Sequence, residues 1–238
     1  MSRWVLKGLG TGRVTTDYPK KKDMSPGITP GIPVKELDKR IDKNILSLCP
    51  TSAIFIKGDM SYVATHRCIH CFRCIRSGGD SVPWNMDYEW ANATHKDFSL
   101  PSSFKHSAHI RVVDAGDCGA CINEVKLLNN PYYNMHRLGL FITPTPRKAD
   151  ILLVVGCVTE HMKIPLKKAY EAMPTPKRVI AVGSCALSGG IFEPDFMTYS
   201  SVSEVIPVDV EVPGCPPPPI AILHALMMVC NQNNGLIK

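Results

Sequence analysis

Ten cysteines in a chain of 238 residues constrain this protein more than any other feature of its sequence. The N-terminus has neither the apolar segment nor the twin arginine that direct export, so we expect a cytoplasmic protein. Disulfides are rare in the cytosol because cellular thiols are kept reduced there. The cysteines therefore indicate metal binding or redox chemistry. They form two sets of four and two single residues, Cys157 and Cys230, which we interpret as core residues.

The N-terminal set combines a tight run of three cysteines with a fourth one upstream. The run is Cys68-Ile-His-Cys71-Phe-Arg-Cys74, and the upstream residue is Cys49, which a proline follows. Three thiolates at every third residue can wrap three corners of an iron–sulfur cube, and a distant cysteine then closes the site. The alternative is a structural zinc site with four thiolates, which usually has two separate C-x2-C pairs. The spacing favours a [4Fe-4S] cluster.

This segment resembles a bacterial two-cluster ferredoxin that has lost the ligands of one cluster. In such ferredoxins each run reads C-x2-C-x2-C-x3-C-P, and its fourth cysteine serves the other cluster. Two short strand-like runs, 52–56 and 61–64, flank a turn signal at Lys57-Gly-Asp59. The resemblance implies a small ferredoxin-like α+β segment over residues 37–80 that binds one cluster. The positions of the lost ligands hold Lys39, Asp42, Ile45 and Gly78.

Charge and hydropathy exclude several other classes of protein. Hydrophobic residues make up 45% and charged residues 20% of the chain, which is typical of a folded globular protein. No apolar run approaches the roughly 20 residues that span a bilayer. The formal net charge is +6, and residues 1–43 carry ten basic and five acidic side chains. We interpret residues 1–36 as a solvated or subunit-docking arm, and we expect no nucleic-acid binding because Lys20–Lys22 is one short run.

From residue 109 onward, apolar runs alternate with helical patterns. This alternation predicts an α/β domain over residues 109–238, with a parallel sheet and helices on both faces. Residues 81–108 show no clear period, and we interpret them as a linker that packs on one or both domains. The predicted strands are Ile110–Val113, Ile151–Val155, Arg178–Val182 and Val205–Val208. The predicted helices are Ile122–Leu128, His161–Met173 and Pro219–Cys230.

The C-terminal set of cysteines follows three of these predicted strands. Cys118 and Cys121 come after the first strand, Cys185 after the third and Cys215 after the last. Parallel strands end at the same edge of a sheet, so we expect these four side chains to converge there on a second cluster. The pair Cys118-x2-Cys121 alone would also be compatible with a thioredoxin-like redox motif.

Several motifs in this half of the chain are similar to those of a known family. The family comprises the small, electron-transferring subunit of [NiFe] hydrogenases and the homologous 20 kDa subunit of complex I. Complex I has adjacent cysteines in the first motif, whereas here two residues separate them, as in a hydrogenase. The resemblance implies a flavodoxin-like parallel sheet. The matching motifs are Cys118-x2-Cys121-x2-Glu124, Ala149–Gly156, Gly183-x-Cys185-Ala186 and Val212-Pro-Gly-Cys-Pro-Pro217.

The resemblance also implies a function. In this family the C-terminal set binds the [4Fe-4S] cluster that lies closest to the active site of a partner large subunit. The absence of further cluster motifs and of an export signal points toward energy-converting membrane hydrogenases, such as that of formate hydrogenlyase. The implied partners are a [NiFe]-hydrogenase-type large subunit, a ferredoxin-like subunit or ferredoxin, and integral membrane subunits. The chain would then lie on the cytoplasmic face of the membrane, bound through its partners.

Together these observations predict two [4Fe-4S] clusters at opposite ends of one electron-transfer subunit. One alternative is the equivalent subunit of a complex I-like quinone or sulfur reductase, and another is a zinc-stabilised interaction module. Glu124 is interpreted either as a proton relay or as a residue that stabilises the first turn of a helix. His70 is interpreted either as a hydrogen-bond donor to a cluster sulfur or as a solvated loop residue.

Overall fold

The computed structural model describes residues 3–12, 14–37, 41–76, 82–192 and 194–232. Lys39 and Gly78, two positions of the lost ferredoxin ligands, lie outside these ranges. The helices are α1 (Arg3–Thr11), α2 (Lys43–Leu48), α3 (Arg73–Arg76), α4 (Ala120–Leu127), α5 (Glu160–Ala172), α6 (Ser184–Ser188) and α7 (Pro219–Val229). The strands are β1 (Ile32–Pro33), β2 (Glu36–Leu37), β3 (Ile54–Lys57), β4 (Met60–Val63), β5 (Trp84–Asn85), β6 (Asn92–Ala93), β7 (Ala108–Asp114), β8 (Leu140–Ile142), β9 (Ile151–Val155), β10 (Arg178–Val182) and β11 (Val210–Val212).

The largest unit is a six-stranded sheet with the order β6-β11-β10-β9-β7-β8. Strands β7 to β11 pair in parallel, and β6 pairs antiparallel with β11 at one edge. Counted along the chain, the five parallel strands have the order 2-1-3-4-5, which is the flavodoxin-like arrangement. The fold class predicted from the sequence is therefore confirmed.

The central strand β9 explains why helices cover both faces of this large sheet. All five of its side chains are fully buried. Because successive side chains of a strand point to opposite faces, Leu153 packs with residues of α4 and α7, whereas Leu152 packs with residues of α5 and α6. A strand that is buried on both faces has a continuous apolar sequence, which is why Ile151–Val155 could be recognised as a strand.

The last strand of the large sheet lies further along the chain than the sequence predicted. The prediction of a strand over Val205–Val208 is wrong, and the strand is Val210–Val212. Pro207 has no N–H to donate to a neighbouring strand, and a short 3-10 turn at Val202–Glu204 precedes it. Asp209 then begins the pairing with β10, because its carboxylate accepts a hydrogen bond from the Val179 amide (2.7 Å).

A small antiparallel sheet with the order β2-β4-β3 forms the α+β segment ahead of the large sheet. Lys57 pairs with Met60, so Gly58 and Asp59 form a two-residue turn between β3 and β4. The predicted hairpin is thus confirmed. The buried core of this segment is small, and among the described residues it comprises Leu37, Ile41, Ile45, Ile54, Val63 and Val82.

Part of the basic arm packs against the large sheet and its helices. Tyr18 is fully buried, and its hydroxyl lies 2.7 Å from Nδ1 of His224 in α7. The Thr16 amide donates to the carbonyl of Tyr132 (3.0 Å). The expectation of a solvated arm is therefore wrong for this stretch, because its aromatic side chain fills the core. Trp4 in α1, by contrast, is largely exposed.

Residues 81–108, predicted to be a linker, contribute a strand to each of two sheets. Strand β5 pairs antiparallel with β1 in a separate two-stranded sheet, and β6 adds to the large sheet beside β11. The division of the chain after residues 36, 80 and 108 stays a prediction. No helix in the described parts of the chain is long and apolar enough to cross a membrane.

Candidate functional site: two sets of cysteines

The four cysteines of the N-terminal set line one cavity. Cys49 ends α2, Cys68 follows a 3-10 turn, Cys71 lies in the next loop and Cys74 lies in α3. With apolar neighbours that include Ile54, they line a cavity with an empty volume of ≈ 400 Å³, some of it open to solvent. The structure therefore brings together all four residues of this set.

Backbone amides and burial define the chemistry of these thiols. The Ala53 amide donates to the Cys49 sulfur (3.2 Å). Burial raises the pKa of Cys68 to about 12, although the backbone amide of His70 donates to this sulfur and opposes the rise. Burial also raises the pKa of Cys74. Buried thiols of this kind ionise when a metal supplies the compensating positive charge, so the set fits an iron–sulfur cluster.

The C-terminal set is assembled from loops that are distant in sequence. Cys118 precedes α4, Cys121 lies in its first turn, Cys185 lies in α6 and Cys215 follows β11. All four positions are at the carboxyl ends of parallel strands, as the sequence analysis predicted. Cys121 and Cys185 are buried, Cys215 is half-buried and Cys118 is exposed.

Burial and neighbouring thiols both raise the pKa values of cysteines in the C-terminal set. Burial raises the pKa of Cys185 to about 12, and nearby groups that include Cys215 and Cys118 add to the rise. Burial likewise raises the pKa of Cys121 far above its usual value, with contributions from Asp117 and the other three cysteines of the set. Four thiols in this arrangement favour a bound metal centre, because ionised sulfurs would otherwise repel one another.

A glycine allows the sulfur of Cys121 to lie against the backbone of the next loop. Gly183 has a φ of +92°, and a Cβ atom built on it would lie 2.5 Å from the Cys121 Sγ. No other residue satisfies both the left-handed backbone and this close approach. The Gly183 amide donates to the Val212 carbonyl (2.8 Å), which joins the loops of Cys185 and Cys215.

The two sets lie on loops that contact each other. The Ser184 hydroxyl, at the start of α6, donates to the carbonyl of Cys68 (2.6 Å), and the Ser188 hydroxyl donates to the carbonyl of His66 (3.0 Å). The prediction of clusters at opposite ends of the subunit is therefore wrong. Sequence reasoning missed Ser184 because nothing in the motif Gly-Ser-Cys distinguishes a bridging serine from any other loop serine.

His70 lies at this junction and is not solvated. Its side chain is only 8% exposed and contacts Trp84 and Trp90 edge-on, with ring centroids 5.3 and 6.2 Å away. The residue lines a second cavity together with Cys215 and Glu124. Burial lowers the pKa of His70 to about 4, so the imidazole is neutral. The interpretation of His70 as a solvated loop residue is wrong.

Glu124 faces the same second cavity from α4. Helix α4 begins at Ala120, and no acidic residue lies in its first turn, so Glu124 is not placed to stabilise the helix N-terminus. Burial raises the pKa of this carboxyl, which brings it closer to a pH at which it can accept and release protons.

The two single cysteines occupy buried positions. The Cys157 thiol donates to the carbonyl of Gly116 (3.4 Å), and Cys230 lies in the core at the end of α7. Both positions agree with the prediction of core cysteines.

Within the described ranges, no three His, Cys, Asp or Glu side chains are placed to hold a single metal ion.

Residues 118–229 match the protein family described as NADH ubiquinone oxidoreductase, 20 Kd subunit. Formate hydrogenlyase subunit 7 of Escherichia coli (strain K12) is 38% identical over 152 residues, which cover 64% of this chain and 58% of that protein. The chain thus spans little more than half of that relative's length. The probable membrane-bound hydrogenase subunit mbhJ of Pyrococcus furiosus is 41% identical over 126 residues, which cover 53% of this chain and 75% of that subunit.

One solved structure in the comparison is a chain of the membrane-bound sulfane sulfur reductase, an archaeal respiratory membrane complex. It is 32% identical, with a TM-score of 0.49 over 56% of this chain and 75% of that chain.

Proposed function

This chain belongs to the family of the complex I 20 kDa subunit and the [NiFe] hydrogenase small subunit, and we propose that it is the iron–sulfur electron-transfer subunit of a membrane-associated [NiFe] hydrogenase. In this proposal it passes electrons between a ferredoxin-type donor or acceptor and the active site of a large subunit. That site reduces protons or oxidises hydrogen.

One observation carries the proposal: two complete sets of four cysteines lie on loops in direct contact. The hydrogen bond from the Ser184 hydroxyl to the Cys68 carbonyl joins the helix that carries Cys185 to the loop that carries Cys68. Cysteines needed only for structural stability would not require the loops of the two sets to be in contact. Electron transfer between two centres requires such proximity.

The proposed ligands are the eight cysteines of the two sets, with one [4Fe-4S] cluster in each. A cubane cluster bound by four thiolates exchanges one electron, at a potential set by net charge, hydrogen bonds to sulfur and solvent exposure. The protein supplies amide donors to sulfur from Ala53 and His70, and it buries Cys121 and Cys185 away from water. These contacts hold the sulfurs still, so that little reorganisation accompanies a change of charge.

Glu124 is the proposed proton relay. It lines the cavity beside Cys215, where a large subunit would dock against the exposed side of the C-terminal set. Its pKa is raised by burial, which makes this carboxylate a better proton acceptor than an exposed glutamate.

The proposed partners follow from the same family. They are a [NiFe]-hydrogenase-type large subunit, a ferredoxin or ferredoxin-like iron–sulfur subunit, and integral membrane subunits. The chain is proposed to sit peripherally on the cytoplasmic face of the membrane through these partners, and we propose no nucleic-acid partner.

Metal and sulfide analysis of the anaerobically purified chain tests the cofactor. We expect about eight iron atoms and eight acid-labile sulfides per chain, as two cubane clusters require. Zinc without sulfide would overturn the electron-transfer proposal and favour an interaction module.

Two ligand variants test the assignment of the sets. Cys74→Ser is expected to remove the cluster signal of the N-terminal set in electron paramagnetic resonance spectra, and Cys185→Ser that of the C-terminal set. Cys157→Ser is the matched control, because this thiol donates to the Gly116 carbonyl and is not a proposed ligand. If Cys74→Ser and Cys185→Ser both keep two intact signals, the ligand assignment is wrong.

The metal content of the copurifying large subunit tests the reaction. Nickel in that subunit supports a hydrogenase. A large subunit without nickel that reduces quinone or sulfur compounds would replace the hydrogenase proposal with the reductase alternative, and the electron-transfer role of this chain would stand.

A further inference from the structure

The loop between Cys68 and Cys71 buries an aromatic side chain that has a polar edge. His70 has a φ of +50° and Phe72 one of +58°, so the backbone turns twice through the left-handed region within one short loop. This turn places the His70 amide on the Cys68 sulfur while the ring packs against Trp84 and Trp90. The ring is therefore held in the loop between two proposed ligands by its own backbone and by two indoles, one of which, Trp84, lines the same cavity as the four cysteines of the N-terminal set.

The two nitrogens of this ring are buried without a partner. Neither Nδ1 nor Nε2 of His70 has a hydrogen-bond partner among the described residues, and both are inaccessible to solvent. A neutral imidazole carries one N–H donor, and leaving a buried donor unpaired costs free energy. A loop that buries such a group is expected to contain an acceptor once its ligand is bound.

The cluster proposed for the N-terminal set would supply such an acceptor. The ring belongs to the residue between two of the proposed ligands, and the aromatic rings that surround it, Phe72, Trp84 and Trp90, offer no lone pair in the ring plane. Inorganic sulfide and cysteine thiolate both accept hydrogen bonds, and such bonds stabilise the more negative, reduced form of a cluster.

We propose that His70 is a positioning residue whose ring N–H donates a hydrogen bond to a sulfur atom of the cluster in the N-terminal set and raises its reduction potential. The inference rests on the proposed function, because it requires a cluster at these cysteines. It gives the two adjoining centres different potentials through one side chain.

Potentiometric titration of both clusters, followed by electron paramagnetic resonance, tests this role. His70→Phe keeps the aromatic packing and removes the donor, so the potential of the N-terminal cluster is expected to become more negative at unchanged iron content. The potential of the C-terminal cluster is expected to stay the same. His70→Gln restores a donor and is expected to recover part of the shift. His66→Phe is the matched control, because this nearby histidine is exposed.

A second measurement covers the case in which His70→Phe loses its cluster. Pulsed electron paramagnetic resonance of the reduced wild-type protein is expected to show weak coupling to a ring nitrogen of histidine, in addition to the His70 backbone amide that donates to the Cys68 sulfur. Histidine labelled with ¹⁵N only in the imidazole ring identifies this coupling, and His70→Gln abolishes it. If wild-type protein holds two clusters but shows no such coupling, or if His70→Phe leaves the potential unchanged, the ring does not donate to the N-terminal cluster and the inference fails. Protein without clusters would instead refute the proposed function.

Discussion

The two sets of cysteines are brought together in opposite ways. The N-terminal set lies within 26 residues of chain, from Cys49 to Cys74, on short elements around a three-stranded sheet. The C-terminal set gathers Cys118, Cys121, Cys185 and Cys215 from the ends of strands in a six-stranded sheet. The first is a local loop site, and the second exists only when the whole large sheet has formed.

The difference teaches where the stability of each site comes from. The buried core of the small segment comprises six described residues, with Cys49 and Cys74 packed against it. The large sheet buries extensive clusters on both of its faces. We therefore expect a site on the small core to depend on its proposed cluster for order, because small domains bury too little apolar surface to fold firmly alone.

Removal of the clusters is expected to give the largest difference between the two sites, in their sensitivity to protease. After oxidation and chelation under anaerobic conditions, residues 41–76 should become sensitive to protease, whereas the region from β7 to α7 should stay resistant. Limited proteolysis with mass spectrometry of the fragments measures this difference. Reconstitution with iron and sulfide is the control and should restore protection. Equal sensitivity of both regions would show that the large sheet also needs its cluster to fold.

Gly183→Ala is expected to remove the C-terminal cluster and leave the N-terminal one. Its Cβ would lie 2.5 Å from the Cys121 Sγ at a φ of +92°, so the sulfur must leave its place. Iron analysis should find about four of eight iron atoms. Gly58→Ala in the small sheet is the matched control, because its φ is +66° but no atom lies within 4 Å of the added Cβ. That variant should keep all iron and lose about 1 kcal/mol from backbone strain. Equal iron in the two variants would contradict the steric argument.

Acidification is expected to weaken the large sheet through His224. Burial lowers the pKa of His224, and the charge of Lys22 lowers it further, whereas Glu89 and Asp87 raise it. The Tyr18 hydroxyl contacts the ring. The unfolded chain therefore takes up this proton first, and stability is lost as the pH falls below about 6.5, by at most about 1.4 kcal/mol per pH unit. Thermal midpoints measured between pH 7.5 and 5 should fall less steeply for His224→Asn. Parallel slopes for the two proteins would exclude His224 as the cause.

Ser184→Ala is expected to give the smallest change and to loosen the contact between the sites. Loss of the hydrogen bond to the Cys68 carbonyl should cost about 1 kcal/mol, since the hydroxyl is buried. Hydrogen exchange of the peptide that contains Cys68 should accelerate while both clusters remain. Ser188→Ala, which removes a more exposed bond to the His66 carbonyl, should change exchange less. Faster exchange in the Ser188 variant would reverse this ranking.

Sequence reasoning succeeded where pattern and structure share one physical cause. The continuous apolar run Ile151–Val155 reports burial on both faces, and the cysteines at strand ends had to converge once the strands were parallel. It failed where a contact joins distant segments. The sequence predicts a solvated or subunit-docking arm around Tyr18 and clusters at opposite ends of the subunit, because neither the His224 contact nor the Ser184 bond leaves a local signal.

Strand β6 has a consequence for any attempt to separate the two halves of this chain. Its residues Asn92 and Ala93 pair with Glu211 and Val210, so they occupy the outer margin of β11. A protein truncated to the start of β7 would expose unpaired amide and carbonyl groups at the edge of β11, and such edges promote pairing between copies and aggregation. The short strand β6 thus covers the edge of β11 and opposes self-association. We expect shortened proteins that retain β6 to stay in solution.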